Sequence, residues 1–243
     1  MYKTDWSKIY RTEFISVSEC WKTCGGYCCN NFFGDYLKIL DKNSVSLPMT
    51  EDEFCYYESI GGISNITSTP KNREFILKNG KKFKIYFLSC SCKGLCKPHS
   101  ARPLICRIYP YFPIVNAQGQ ILDYDYCAIM DIFYTSPKIH RCSLINNSDL
   151  NEKIKAQLNF LLPEMLKDPF QIFVFMMIKL FIDSFREAMG EKIDKIDHCQ
   201  IGSFIGKFEK ILLLGKPWKT NYFQTKIIET YEEIKNVWKE DFL

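Results

Sequence analysis

A cysteine-rich stretch in the middle of the chain carries the residues best suited to chemistry. Residues 85–111 read IYFLSCSCKGLCKPHSARPLICRIYPY and contain four cysteines, one glycine and three prolines: Cys90, Cys92, Cys96, Cys106, Gly94, Pro98, Pro103 and Pro110. Glycine and proline at this density favour turns over regular structure. Thiolates are soft ligands that suit zinc and iron–sulfur clusters, so the stretch is typical of a metal-ligating loop.

A second cysteine cluster lies near the start of the chain, where residues 20–29 read CWKTCGGYCC. Its thiols are those of Cys20, Cys24, Cys28 and Cys29. Gly25 and Gly26 interrupt any helix in this segment, which predicts a loop. Adjacent cysteines do not easily chelate one ion together, so the Cys28–Cys29 pair indicates either a polynuclear centre or one ligand beside one packing thiol. We expect the two clusters to meet on a metal centre that the N-terminal half needs in order to fold.

The composition of the 243-residue chain favours a cytoplasmic metalloprotein. The N-terminal residues hold no apolar core segment and predict no secretory signal. Stable disulfides are rare in a reducing cytosol, so twelve cysteines there indicate metal binding more than disulfides or scattered buried thiols. The net charge of +4 gives no strong nucleic-acid signal. The most apolar run, residues 170–182, is shorter than the span of about 20 residues that a bilayer requires, so no transmembrane segment is predicted.

The spacing of apolar and turn residues predicts an α+β fold that is mainly helical, with an irregular, metal-centred first half. Residues 73–90 predict a β-hairpin, since Asn79-Gly80 is a two-residue turn signal between alternating apolar positions. The second strand of this hairpin leads directly into Cys90 and Cys92. The hairpin would therefore present thiols to a metal at its end, as in a zinc-ribbon knuckle.

Two further elements are predicted in the first half of the chain. Residues 44–58 predict a short extended piece followed by a helix, because Thr50 and Glu53 have the spacing of a capping box. Residues 121–130 predict a strand that carries Cys127 towards its end.

Beyond residue 148 the character of the sequence changes, and cysteines almost vanish. Apolar spacing, Asp168-Pro169 as a helix start and Gly190 and Gly215 as helix stops predict four helices. They are expected over residues 150–167, 169–189, 198–214 and 220–240. We therefore expect a Cys-rich metal-binding region over residues 1–148 and a helical region over residues 149–243 that packs against it.

Short motifs in the two clusters are similar to those of a known family. CWKTCGGYCC, followed by GLC at 94–96, RPLIC at 102–106 and CRIYP at 106–110, resembles the zinc- or iron-chelating cysteine-cluster family, also called YkgJ-like. Flagellin lysine N-methylases carry a similar pair of clusters. The resemblance covers about residues 20–127 and implies an eight-cysteine metal centre without fixing the metal. The chain departs from the family in having three residues, GGY, before the cysteine pair, where two are usual.

The resemblance also implies which thiols would be ligands. The set consists of Cys20, Cys24, Cys28, Cys29, Cys96, Cys106 and Cys127, together with Cys90 or Cys92. The stretch before GLC is shorter than usual, which leaves the choice between Cys90 and Cys92 open. Cys96 and Cys106 have the strongest support, because matched motifs frame both of them.

Several other residues are candidates of a lower order. His99 lies between two cluster cysteines and is the first spare ligand, followed by His140. Arg102 and Arg107 flank Cys106, where a cationic neighbour would lower the pKa of the thiol. The remaining thiols and two strand carboxylates are interpreted as packing or surface residues: Cys55, Cys142, Cys199, Asp123 and Asp125.

Two classes of function follow from these observations. In the first, an iron or iron–sulfur centre belongs to an enzyme that modifies a protein or peptide side chain, such as a lysine N-methylase. In the second, closed zinc sites stabilise the fold of a non-enzymatic binding module. Electron transfer and metal handling are further alternatives. Similarity to the methylases admits S-adenosylmethionine as a cofactor, but no glycine-rich phosphate loop or dinucleotide fingerprint marks a pocket for it. The oligomeric state is not predicted.

Overall fold

The computed structural model describes residues 2–15, 21–29, 44–127, 131, 137–140, 142–190 and 201–243. Helices and small antiparallel sheets make up the fold, which confirms the predicted α+β, mainly helical class. The α-helices are α1 (Trp6–Arg11), α2 (Trp21–Cys24), α3 (Glu51–Ser59), α4 (Leu104–Ile108), α5 (Ser143–Asn146), α6 (Ser148–Leu161), α7 (Pro169–Met189), α8 (Ile201–Lys210) and α9 (Asn221–Trp238). The strands are β1 (Val45–Thr50), β2 (Lys71–Ile76), β3 (Lys82–Cys90), β4 (Tyr111–Val115) and β5 (Ile121–Tyr126).

Strand β3 is the centre of the first sheet and ends at the middle cysteine cluster. β1 and β2 pair with it on either side, both antiparallel, in the order β1-β3-β2. Val45, the first residue of β1, lies opposite Cys90, the last residue of β3. The side chain of Cys90 is buried there, so the sheet fixes the position of this thiol.

The predicted hairpin is present, but its loop is one residue longer than predicted. The Leu77 N–H donates to the Lys81 carbonyl at 2.8 Å, and the Gly80 N–H donates to the Leu77 carbonyl at 2.9 Å. Residues 78–80 therefore form the loop, and Gly80 has a φ of 84°. Glycine adopts this left-handed conformation at no steric cost, and a three-residue loop ending in it is a common hairpin connection.

Helix α3 begins at Thr50 as predicted, whereas Glu53 has other partners. The Glu53 N–H donates to Thr50 Oγ1 at 3.3 Å, which is one half of the capping box. The buried Glu53 carboxyl group instead accepts two hydrogen bonds on Oε1, from the Leu104 N–H at 2.7 Å and from the Tyr10 hydroxyl at 3.1 Å. Glu53 thereby joins α3 to the first residue of α4, the helix that carries Cys106.

The second sheet consists of β4 and β5, of which the sequence predicted only β5. The predicted strand over residues 121–130 ends at Tyr126, and residues 128–130 lie outside the described residues. On β5, the Asp125 carboxyl group faces the guanidinium of Arg186 on α7. Arg186 Nη2 lies 2.6 Å from Asp125 Oδ1, and Nη1 bonds to Oδ2. This bidentate ion pair joins the second sheet to α7, the longest helix of the C-terminal region.

The helical region follows the prediction closely. α7 spans Pro169–Met189, begins where the Asp168 side chain accepts the Phe170 N–H, and ends at Gly190 with a φ of 65°. α6 is shorter than predicted because Pro163 clashes with the preceding helical turn; Leu162–Lys167 is a 3₁₀ segment instead. None of the helices in the described ranges is long and apolar enough to cross a membrane.

The end of the chain contains the last two predicted helices. α8 is the described part of the helix predicted over residues 198–214, and a π-helical turn, Ile211–Gly215, follows it. α9 covers most of the helix predicted over residues 220–240.

Buried side chains from the first half and from the helical region belong to one hydrophobic cluster. Phe83 of β3 packs edge-on against Phe173 of α7, with ring centroids 5.6 Å apart. The indole N–H of Trp238 donates to the Ala117 carbonyl at 2.8 Å. α7 therefore packs on the first sheet and α9 on the loop between β4 and β5, while the division into two regions at residue 148 stays a prediction.

Candidate metal centre

The two cysteine clusters lie against each other at Gly26. This glycine has a φ of 71°, and a Cβ atom built on it would lie only 2.9 Å from the Lys93 carbonyl oxygen. Beside this contact, the Cys28 thiol and then the Gly94 N–H lower the pKa of Cys29, which places Gly94 near that sulfur. The loop of the first cluster therefore packs directly on the loop between Cys92 and Cys96. Glycine suits position 26 both for its backbone conformation and for this close approach.

Five thiols from the two clusters form what we call the inner thiol group: Cys29, Cys90, Cys92, Cys96 and Cys106. Burial raises the pKa of the Cys92 thiol, and the nearby thiols of Cys90 and Cys96 raise it further. Cys29, Cys90 and Cys96 are all close enough to Cys106 to raise the pKa of its thiol electrostatically. The structure therefore places both Cys90 and Cys92 in this group, and the choice that the sequence left open between them stays open.

Burial makes the inner thiol group a poor place for thiolates unless a cation joins it. Burial raises the pKa of Cys92, of Cys96 and, well above its ordinary value, of Cys106. The neighbouring thiols raise the pKa of Cys106 further. A metal ion would reverse this preference for the protonated thiol, because a coordinated thiol loses its proton outright.

Cys28 and Cys29 differ in their electrostatic surroundings, although they are adjacent. Their sulfur atoms lie 3.7 Å apart. A hydrogen bond from the Cys28 thiol lowers the pKa of Cys29 to about 7, with help from the Gly94 N–H and the Arg102 guanidinium. The same hydrogen bond raises the pKa of Cys28. Cys29 is thus the thiol of the pair that is better prepared to be a ligand.

The two arginines beside Cys106 have separate roles. The Arg102 charge opposes the rise in the pKa of Cys106 that burial and the neighbouring thiols cause, and it contributes to the lowered pKa of Cys29. Arg107 is buried, and its guanidinium lies 4.7 Å from the centre of the Tyr10 ring. Its hydrogen-bond partners are the carbonyl oxygens of Arg102, Thr12 and Ser100. Arg107 therefore stabilises the backbone around the cluster. We predicted that it would support a thiolate at Cys106, but its guanidinium donates to backbone carbonyls instead.

Asp131 is the centre of a second buried group, which we call the Asp131 network. The hydroxyls of Tyr27 and Tyr109 each donate to its carboxyl group at 2.8 Å, one to Oδ1 and one to Oδ2. His140 Nε2 lies 3.1 Å from Oδ1. His140 Nδ1 accepts the Cys142 N–H at 3.0 Å, which places the proton of a neutral ring on Nε2. The network links the first cluster, through Tyr27, to the CRIYP motif, to His140 and, through the His140 ring, to Cys142.

The Asp131 network adjoins the thiols that lie outside the inner group. Cys142 is buried, and burial together with the nearby Cys24 and Asp131 raises the pKa of its thiol to about 12. Cys28 is within electrostatic reach of both Cys106 and Cys142, so it lies between this network and the inner thiol group. Burial raises the pKa of Cys127 well above its ordinary value, and the charges of Asp131 and Asp125 raise it further. Cys127 therefore lies on the Asp131 side of the site, apart from the inner thiol group.

Sequence reasoning missed Asp131 and treated Cys142 as a packing thiol. The available signals were spacings: Asp131 follows Cys127 by four positions, and Cys142 follows His140 by two. Of the remaining candidates, Cys55 is exposed on α3 and Asp123 is exposed on β5. Burial, and after it the Arg102 charge, lowers the pKa of His99. Cys20 and Cys199 lie outside the described residues.

The thiols lie near one another without forming a defined coordination site. Across the part of the chain that the structure describes, no group of three or more histidine, cysteine, aspartate or glutamate side chains is arranged so that it could hold a metal ion. Comparison of the chain with models of protein families, with curated proteins and with solved structures found no match in any of the three.

Removal of one donor from Asp131 tests whether the network contributes to stability. We expect Tyr109→Phe to lower the free energy of unfolding by about 2 kcal/mol, because a buried carboxyl group loses a hydrogen bond and gains none. Urea unfolding measures the loss. Tyr124→Phe is the matched control, since the Tyr124 hydroxyl donates to Asn159 at the surface, at the same 2.8 Å. Equal losses in the two variants would contradict a special role for the network.

Proposed function

We propose that this chain is a metal-binding protein in which the two cysteine clusters together hold a thiolate-ligated centre, either an iron–sulfur cluster or iron, with zinc as the alternative. The observation that carries the proposal is the packing of Gly26 on Lys93, which brings the Gly94 N–H near the Cys29 sulfur. These contacts support a shared centre because they join thiols from two distant segments. They also support the similarity to the zinc- or iron-chelating cysteine-cluster family, in which both segments supply ligands.

The chemistry of the donor set fits such a centre. Sulfur donors are the ligands of iron–sulfur clusters and of closed zinc sites. Hydrogen bonds to the sulfur atoms are one of the means by which a protein tunes an iron–sulfur cluster, and the Gly94 N–H is near enough to Cys29 to help lower the pKa of its thiol. Burial disfavours thiolates at Cys96 and Cys106, and a bound cation would offset this. A bound iron–sulfur cluster would allow electron transfer, whereas a bound zinc ion would join the two cysteine segments without redox activity.

An enzyme that modifies a protein or peptide side chain, such as a lysine N-methylase, is the second candidate. The Asp131 network favours it, because Asp131, His140 and two tyrosine hydroxyls can hold and move a proton beside Cys28 and Cys142. A non-enzymatic binding module with structural zinc would have no need of this buried polar group. S-adenosylmethionine belongs to this second candidate alone.

Anaerobic purification followed by elemental analysis and absorption spectroscopy tests the proposal. We expect iron, acid-labile sulfide and a visible absorption band. Stoichiometric zinc without a visible band would replace the iron–sulfur centre by the zinc alternative. We also expect removal of the metal by a chelator to lower the unfolding temperature by about 10 °C, because metal binding contributes to the folding free energy. A metal-free protein with an unchanged unfolding temperature would refute both forms of the proposal.

A further inference from the structure

The connection between α8 and α9 carries an apolar and basic surface that the metal centre does not use. We call residues 210–222 the C-terminal tip; this segment contains three lysines and no acidic residue. Leu213 is 41% exposed, Leu214 is 76% exposed and Tyr222 is 67% exposed. Adjacent leucines with this much surface in water mark an interaction surface more often than a random surface position.

The backbone of the tip makes these leucines protrude. α8 buries Phe204, Ile205 and Phe208, as an amphipathic helix does. At Ile211 the helix widens into the π-helical turn, which ends at Lys216 with a φ of 41°. The wider turn shifts the following side chains off the buried stripe of α8. π-Turns and left-handed residues other than glycine concentrate at functional positions.

An aromatic contact anchors the tip to the body of the protein. The indole of Trp218 packs against Phe181 of α7, with ring centroids 5.2 Å apart. The backbone on either side of Trp218 is therefore held by α7, so that the leucines project from a fixed base. An aromatic residue that is partly buried and partly in water suits the headgroup level of a membrane.

The tip carries a local positive charge. Lys210, Lys216 and Lys219 give it a charge of +3, and it contains no acidic residue. The tip therefore presents its leucines inside a positive field, which is complementary to an anionic surface.

We propose that the C-terminal tip docks the protein on the surface of an anionic lipid bilayer. Leu213 and Leu214 would enter the boundary between headgroups and acyl chains, while the three lysines stay with the anionic headgroups. Nucleic acid fits less well, because the tip has no arginine and its most exposed side chain is aliphatic. A helical protein partner also fits less well, since it would be received in an apolar groove rather than on protruding leucines.

Vesicle flotation with the full-length, metal-containing protein tests this surface. We expect binding to phosphatidylcholine vesicles that contain phosphatidylglycerol, little binding to pure phosphatidylcholine, and release at high salt. Leu214→Gln should lower the partition coefficient about tenfold. The double variant Lys216→Gln/Lys219→Gln should lower it about 30-fold, from the contribution of each lysine near an anionic surface.

Matched controls separate the tip from general effects of surface charge and hydrophobicity. Phe160, 85% exposed on α6, gives the control Phe160→Gln, and Lys71→Gln/Lys153→Gln removes two exposed lysines outside the tip. Both controls should bind vesicles like the unmodified protein. The double lysine variant changes no apolar residue. If Leu214→Gln does not fold, vesicle binding by the lysine variant still tests the proposal. Failure to bind anionic vesicles, equal losses in tip and control variants, or binding to duplex DNA or polyglutamate in place of vesicles would each overturn the proposal.

Discussion

Addition of one methyl group at Gly26 is expected to lower the affinity for metal by about 10- to 100-fold, the range seen when support around a ligand is removed. The same change at Gly25 should leave the affinity unchanged. The two glycines have φ values of 71° and 63°, so alanine costs about 1–2 kcal/mol of backbone strain at either position. Only the Cβ at position 26 meets another atom, the Lys93 carbonyl oxygen at 2.9 Å; at position 25 nothing lies within 4 Å.

The contact at Gly26 matters because it sets the distance between the two clusters. An added Cβ must push the backbone of the first cluster away from Lys93, and a backbone atom cannot yield as a flexible side chain can. Such a movement takes the Cys29 sulfur away from the Gly94 N–H. It also withdraws Cys29 from the inner thiol group, so the bound centre loses one of its sulfur ligands.

Competition with a chelator of known affinity measures this effect on the reduced, reconstituted proteins. Gly26→Ala and Gly25→Ala should show similar free energies of unfolding when metal-free, because they share the same backbone strain. They should differ once metal is present. If both variants lost affinity to the same extent, flexibility of the glycine pair, and not the packing on Lys93, would be what the centre requires.

The sequence was sufficient for those features that depend on local interactions. Thr50 caps α3 because a hydroxyl reaches an N–H three residues ahead, and α7 ends at Gly190 because glycine takes a left-handed conformation easily. Both rules operate within one helical turn. The hairpin was also predicted, and the extra loop residue arises from the equally local preference of Gly80 for a positive φ.

The roles of buried polar side chains could not be obtained in this way. Glu53 has the spacing of a capping box, yet its carboxyl group is turned to Leu104 and Tyr10, which are distant in sequence. Arg107 stands next to a cluster cysteine, yet its guanidinium serves backbone carbonyls. Asp131 stood in no motif at all. A buried polar group bonds with whichever partner the tertiary fold brings near, and sequence spacing does not reveal that partner.

Replacement of Glu53 by glutamine is expected to remove a pH dependence of stability of about 3 kcal/mol between pH 5 and pH 8. Burial raises the pKa of Glu53 to about 7, although the Leu104 N–H, the Tyr10 hydroxyl and the Arg107 charge act in the opposite direction. Both hydrogen bonds end on Oε1, which leaves Oε2 to carry the proton. The glutamine side chain keeps an oxygen for the same two donors and has no charge to bury.

The sign of the effect follows from where the proton is bound. The ordinary pKa of a glutamate, 4.5, applies in the unfolded chain, and in the folded protein the value is about 7. Between these values the folded state binds more protons than the unfolded state, so stability falls as the pH rises. The loss is complete above the folded pKa. Relative to the unmodified protein, the Glu53→Gln variant should therefore gain about 3 kcal/mol on going from pH 5 to pH 8.

Urea unfolding of the metal-free proteins at a series of pH values measures this gain without interference from metal binding. Glu51→Gln is the control, since Glu51 lies on the same helix but at the surface, with Lys84 Nζ 3.0 Å away. A pH dependence that survives in Glu53→Gln would show that other groups produce it. Above pH 7 the buried charge of Glu53 lowers the stability of the folded state that positions α4 and Cys106, although the Leu104 N–H itself favours the carboxylate. The same substitution should therefore help the protein retain its metal above pH 7.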